Sequence, residues 1–110
     1  MRSKVLAIDF DGTLCTNNYP YIGKPNIELI ERLKREKEYG TKLILWTCRD
    51  GKQLAEAVDW CSQQGLYFDA VNDNIDERIL SYGNCRKVNA DYFIDDKNLK
   101  IQDYLKGVFY

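Results

Sequence analysis

Four aspartates carry the clearest chemical potential in this chain. Asp9 and Asp11 lie in Asp9-Phe-Asp-Gly-Thr-Leu14, directly after a short apolar run, and Asp95 and Asp96 close the run Ala90-Asp-Tyr-Phe-Ile-Asp-Asp96. If the two runs form neighbouring strands, these carboxylates converge at one sheet edge. Like charges so close repel strongly, and the local sequence does not offset them. A bound hard cation would. An all-oxygen donor set, with no imidazole and no thiolate pattern, points to Mg²⁺, which takes few carboxylates plus water and phosphate oxygens. A carboxylate beside such an ion can also act as a nucleophile toward phosphorus. Arg49, two residues past Thr47, adds a cation that could hold a second anionic group of a substrate.

Several other chemistries are excluded. The 110 residues include no histidine, which removes Ser-His-Asp and Cys-His catalysis, phosphohistidine and imidazole metal sites. Cys15, Cys48, Cys61 and Cys85 form no C-x-x-C pair, so a zinc ribbon or thioredoxin-type motif is unsupported. No cysteine is followed six positions later by arginine, which removes the cysteine-phosphatase loop. Sixteen basic and seventeen acidic residues give a net charge of -1, which argues against a nucleic-acid or membrane-surface partner. Asp9 interrupts the first apolar run too early for a signal peptide or membrane span. The expectation is a cytoplasmic protein with free thiols and a single domain over residues 1–110.

The elements that must position these residues alternate. Val5–Phe10 reads as a buried parallel strand. Pro25 fits the first position of a helix whose buried face carries Ile27, Leu29, Ile30 and Leu33, with Gly40 as its stop. Lys42–Thr47 is a second strand. Asp50 and Gln53 resemble a capping box for a helix with Leu54, Ala55, Val58 and Cys61 on one side, ended by Gly65. Tyr67–Val71 reads as a third strand and Ala90–Asp95 as a fourth, with an irregular stretch between them that holds a helical turn or two around Ile75–Leu80. Leu99, Ile101, Tyr104 and Leu105 suggest a short last helix, and Val108–Tyr110 a small edge strand. This alternation predicts an α/β fold: a parallel sheet with helices on both faces and right-handed crossovers. In such sheets the ligand site lies at the carboxyl ends of the strands, where strand order reverses. The residues placed there are Asp9, Asp11 and Gly12; Thr47, Cys48 and Arg49; Asn72 and Asp73; and Asp95 and Asp96.

Taken together, these residues carry a resemblance. Asp9-Phe-Asp-Gly-Thr-Leu14 resembles the DxDGT first motif of the haloacid dehalogenase superfamily of phosphatases. Leu43–Thr47 resembles its second motif, a strand ending in Thr or Ser, and Ile94-Asp95-Asp96 the paired-acid form of its fourth. Lys87 is the candidate for the third motif, with Lys97 and Arg86 as alternatives. The likeness spans Val5 to Asn98. It implies a Rossmann-like fold and Mg²⁺-dependent phosphoryl transfer through an aspartyl-phosphate. Asp9 would be the nucleophile and a Mg²⁺ ligand. Asp11 would protonate the leaving group, later activate water, and bind the metal through its backbone carbonyl. Asp96 would bind Mg²⁺ directly, and Asp95 directly or through water. Gly12, Thr13, Thr47, Cys48 and Arg49 form the expected phosphate-binding set, and Lys87 would neutralise charge beside Asp9.

Neither the segment from Asp11 to Thr47 nor that from Thr47 to Lys87 has room for the cap domain of larger members, so the chain resembles the capless type. An open site would suit bulky phosphorylated substrates, or subunits could cover one another's sites as a homo-oligomer. Tyr19 and Tyr21 fall where the family has a flap hairpin over the site. Ala90–Asn98 also looks like the fourth motif of deoxyribonucleotidases, which makes a nucleotide a reasonable small substrate; a polynucleotide 3′-phosphatase is a further alternative, weakly opposed by the balanced charge. Outside catalysis, two readings remain. One is a non-catalytic binding protein of the same type. The other is a receiver-like phosphoacceptor domain, whose acid pair and phosphoacceptor follow strands in a different order from the one here.

Overall fold

The structure is a computed structural model and describes residues 3–73, 75 and 90–95. Its centre is β1 (Val5–Ile8), four apolar residues buried on both sides. β1 pairs in parallel with β4 (Lys42–Leu45) on one side and with β6 (Tyr92–Ile94) on the other; β5 (Ala70–Val71) pairs in parallel with β4. The spatial order is β5-β4-β1-β6. The chain therefore steps outward from β1 through β4 to β5, then returns to the far side of β1. The order reverses between β1 and β6, and their carboxyl ends form the crevice where ligands bind in open parallel sheets.

Alternation along β1 divides the core. Leu6 and Ile8 face one side, with Leu43 and Leu45 of β4, and meet both helices there: Leu29, Ile30 and Leu33 of α1 (Ile27–Glu38) and Ala57 and Cys61 of α2 (Gly51–Gln63). Val5, Ala7 and Ile44 face the other side, against Ile75. Both described helices thus cover one face, where the alternation of elements predicts cover on both. The expected turns around Ile75–Leu80, the last helix and the edge strand at Val108–Tyr110 lie outside the described residues, apart from Ile75. No described helix is long and apolar enough to cross a membrane.

Between β1 and α1 the chain forms an antiparallel hairpin, β2 (Cys15–Asn18) and β3 (Tyr21–Pro25). Pro25 closes β3 opposite Cys15 and does not open the helix. Asn26 opens it instead: its side-chain oxygen accepts from the Leu29 N–H at 3.2 Å, a capping bond that the sequence pattern had hidden behind the proline. The Asn26 amide also donates to the Thr13 carbonyl at 3.3 Å, tying the helix start to the turn after β1. Ile27, expected on the buried face, is 54% exposed because the face turned to the sheet starts at Leu29. In α2 the buried small residue is Ala57, and Ala55 is exposed. Asp50 precedes α2 in extended conformation and its side chain makes no capping bond, so the expected box does not form. The third strand is shorter than Tyr67–Val71: the Asp69 carboxylate accepts from the Leu43 N–H at 2.8 Å, taking a backbone donor that a longer ladder would use.

Candidate active site at the carboxyl ends of the strands

Ile8 and Ile94 are register partners on adjacent parallel strands, and the Asp9 N–H donates to the Ile94 carbonyl at 3.2 Å. Asp9 and Asp95 are therefore the first residues past the paired ends of β1 and β6, both half-buried, at the point where strand order reverses. Asp11, Thr47 and Arg49 lie past the ends of β1 and β4, the neighbouring parallel pair. Asp96, Lys87, Lys97 and Arg86 lie outside the described residues. Among the described residues no three acidic or thiol side chains stand close enough to hold a metal ion. Asp9 and Asp95 nonetheless supply hard oxygen donors of the kind Mg²⁺ takes, one or two carboxylates with the rest of the shell from water and phosphate.

The turn after β1 is tightly wound. The Gly12 N–H donates to the Cys15 carbonyl at 2.9 Å, and the Thr13 N–H to the Phe10 carbonyl at 3.1 Å. Gly12 sits at φ 82°, a backbone conformation that glycine enters without cost. The expected phosphate contacts from Gly12 and Thr13 thus need correction: both N–H groups are spent inside the turn, and Thr13 is buried. The Asp11 N–H enters no such turn or ladder bond among the described residues, nor does that of Cys48.

Thr47 is held by two bonds. Its N–H donates to the Asn72 side-chain oxygen at 2.8 Å, and its hydroxyl accepts from the Arg49 N–H at 3.1 Å. A hydroxyl that accepts still has its own proton to donate, so Thr47 keeps a donor for an anion. Asn72, past the end of β5, is at φ 52°, and its N–H donates to the Leu45 carbonyl at 2.8 Å. Asparagine tolerates this left-handed conformation better than most residues, which explains its place at a junction that ties two strand ends together.

Arg49 departs most from expectation. It is 2% exposed, and all five of its guanidinium N–H donors find acceptors inside the protein. Nε and Nη2 each donate to a different Asp11 oxygen at 2.8 Å, a bidentate pair. Nη1 donates to the Pro20 carbonyl at 3.2 Å and, weakly, to that of Gln53 at 3.5 Å; Nη2 also donates to that of Tyr21 at 2.9 Å. The guanidinium lies 4.9 Å from the Phe10 ring centre and 5.1 Å from that of Tyr19, within cation–π range. Its hydrogen bonds to the Asp11 carboxylate hold it charged despite its burial. Arg49 therefore has no donor left for a substrate anion. Nothing local in the sequence signals this, because the partners are 38 residues apart.

Beside this cluster a cavity of about 360 Å³ is lined by Asp11, Asn17, Tyr19, Cys48 and Arg49. Tyr19 and Tyr21, at the hairpin tip, are 56% and 73% exposed. Cys48 is exposed with a free thiol.

A solved structure, that of a conserved protein coded by a locus from Bacteroides thetaiotaomicron, is similar to this chain with a TM-score of 0.78 and 41% sequence identity, covering 89% of this chain and 79% of that one. The chain belongs to the same family as that protein. No protein-family model and no curated protein matches it. The relationship extends the α/β fold to both proteins; an activity has to be argued from the site itself.

Proposed function

We propose that this chain is a capless, single-domain phosphatase of the haloacid dehalogenase type, a Mg²⁺-dependent phosphomonoester hydrolase. The observation that carries the reading is the pairing of Ile8 with Ile94, which sets Asp9 and Asp95 side by side at the switch point of a parallel sheet. The DxDGT turn, the threonine past the neighbouring strand and the hairpin beside them support it.

In this mechanism the Asp9 carboxylate attacks phosphorus as the bond to the leaving oxygen breaks, giving an aspartyl-phosphate. Asp11, having taken up a proton on a lone pair that Arg49 leaves open, delivers it to the leaving oxygen. Water then attacks phosphorus, Asp11 takes its proton, and Asp9 and inorganic phosphate are released. The Thr47 hydroxyl and the N–H groups of Asp11 and Cys48 hold phosphate oxygens. Asp9 with Asp95 or Asp96 would hold Mg²⁺, which when bound supplies positive charge against both the carboxylates and the transferring phosphoryl group. A cation from Lys87, or failing it Lys97 or Arg86, covers another side of that charge. The cavity of about 360 Å³ lies in the range of small-molecule sites and favours a small phosphomonoester over a macromolecule.

The test is release of inorganic phosphate from a panel of phosphomonoesters by the purified protein with Mg²⁺, repeated with Asp9→Asn. Turnover by the wild type alone supports the reading; equal turnover by the variant rejects Asp9 as nucleophile.

A further inference from the structure

Arg49 presents a physical puzzle. A buried ion pair costs desolvation, and replacing such pairs by apolar residues is often neutral or stabilising. This one also consumes the arginine's whole donor set, so substrate binding does not account for it. What the pair does achieve is geometric. The same guanidinium fixes both oxygens of Asp11, both carbonyls at the hairpin tip, and one carbonyl in the first turn of α2. Rings of Phe10 and Tyr19 close over it. Asp11 and the hairpin tip are thereby a single unit, and both border the cavity of about 360 Å³.

We propose that Arg49 is a positioning residue: it sets the direction of the Asp11 carboxylate toward the cavity and pins the Tyr19–Tyr21 hairpin tip beside it. The proposal rests on the phosphatase reading above and gives it an arginine that acts through Asp11 rather than on the phosphate. A planar fork with two fixed N–H vectors orients a carboxylate; an ammonium on the same stem supplies the charge without the direction. Small misplacements of a reacting group cost turnover more than binding.

The experiment is a double-mutant cycle of Arg49→Lys and Asp11→Asn, with kcat and KM measured for β-glycerophosphate and p-nitrophenyl phosphate in Mg²⁺. Arg49→Lys is expected to lower kcat by roughly 10- to 100-fold with KM changed less than about threefold. In the Asp11→Asn background the same change should cost less than about threefold more, because the group that Arg49 directs is already disabled. Losses that multiply, a loss confined to KM, or an unchanged kcat overturn the proposal while leaving the phosphatase reading intact. A folded wild type inert toward both substrates and the wider panel overturns both. Should Arg49→Lys fail to fold, Tyr19→Ala removes an exposed ring from the same guanidinium. Its expected loss in kcat, about threefold, should vanish in the Asp11→Asn background; a loss that persists there, or none at all, overturns the proposal.

Discussion

The Asp9 N–H donates to the carbonyl of Ile94 at 3.2 Å, one step beyond the point where β1 and β6 stop pairing. This bond continues the ladder into the loops and holds the first acid of one loop against the strand end that launches the other. Two acids on one edge, Asp9 and Asp95, follow from register alone.

If Asp9 forms the covalent intermediate, Asp9→Asn should lower turnover below detection, since the amide is neither a competent nucleophile nor a good Mg²⁺ ligand. Asp11→Asn should lower it by ~10²-fold or more through loss of proton transfer. Rapid-quench assays of phosphate release check both; a variant at Asp9 that works as the wild type does would exclude the covalent route.

Thr47→Val removes a hydroxyl whose proton is uncommitted among the described residues. A hydrogen bond to a charged group contributes roughly 1.5–3 kcal/mol, so kcat/KM should fall by about 10- to 100-fold. Because the hydroxyl also accepts from the Arg49 N–H, thermal denaturation of the variant should accompany the kinetics. A variant of unchanged kcat/KM would remove Thr47 from the phosphate site.

The thiols should differ sharply in reactivity. Cys48 is exposed, whereas Cys15 and Cys61 are buried. Burial pushes the Cys15 thiol up and that of Cys61 up to about 12, so neither holds much thiolate near neutral pH. Iodoacetamide at pH 8 followed by peptide mass mapping should show Cys48 alkylated in the native protein and Cys15 and Cys61 only after denaturation. Equal labelling of Cys61 and Cys48 in the native state would contradict the burial of Cys61 on the sheet-facing side of α2.

Glu36 links α1 to the strand starts. Burial raises its carboxyl, but hydrogen bonds from Lys4 and Thr41 and the charges of Lys4 and Arg32 outweigh burial and hold it below its ordinary 4.5. A lowered folded value stabilises the protein above the unfolded value, and that stability is lost as pH falls through the folded one. Glu36→Gln should therefore lower Tm at pH 7, and the gap to wild type should close as pH drops below about 4.5. A gap that stays constant into acid would show that the ionised carboxylate contributes nothing.

β3 contains a close approach that only glycine allows. A Cβ on Gly23 would overlap the backbone carbonyl and hydroxyl of Thr16 on β2. Gly23→Ala should cost roughly 1–3 kcal/mol and shift the hairpin tip. Under the proposed function it should also lower turnover, measured beside urea denaturation; a variant of wild-type stability would contradict the hairpin register.

The legible features of the sequence were those with local causes. Val5–Ile8 and Leu43–Leu45 are apolar throughout and buried on both sides of the sheet, and Gly40 and Gly65 directly follow the residues that end the two helices. Runs of this kind declare themselves without partners. The helix start was masked because Pro25 and Asn26 are both favoured near an N-terminus, and the choice between them depends on whether the hairpin reaches Pro25. The short β5 depends on Asp69 reaching a backbone group in β4, which no local pattern shows. The places of Asp9, Asp11 and Asp95 just past strand ends were legible from the apolar runs before them. The role of Arg49 was not, because its partners arrive from three separate segments and its isolated position at a helix start looks like an anion ligand.

The most direct test of the central claim is phosphate release from a panel of small phosphomonoesters, with Mg²⁺ and then with excess EDTA. A Mg²⁺-dependent phosphatase turns over at least one panel member with Mg²⁺, loses that turnover in EDTA, and regains it when Mg²⁺ is restored. No release from any member by the folded protein, or release that EDTA leaves unchanged, would contradict the claim.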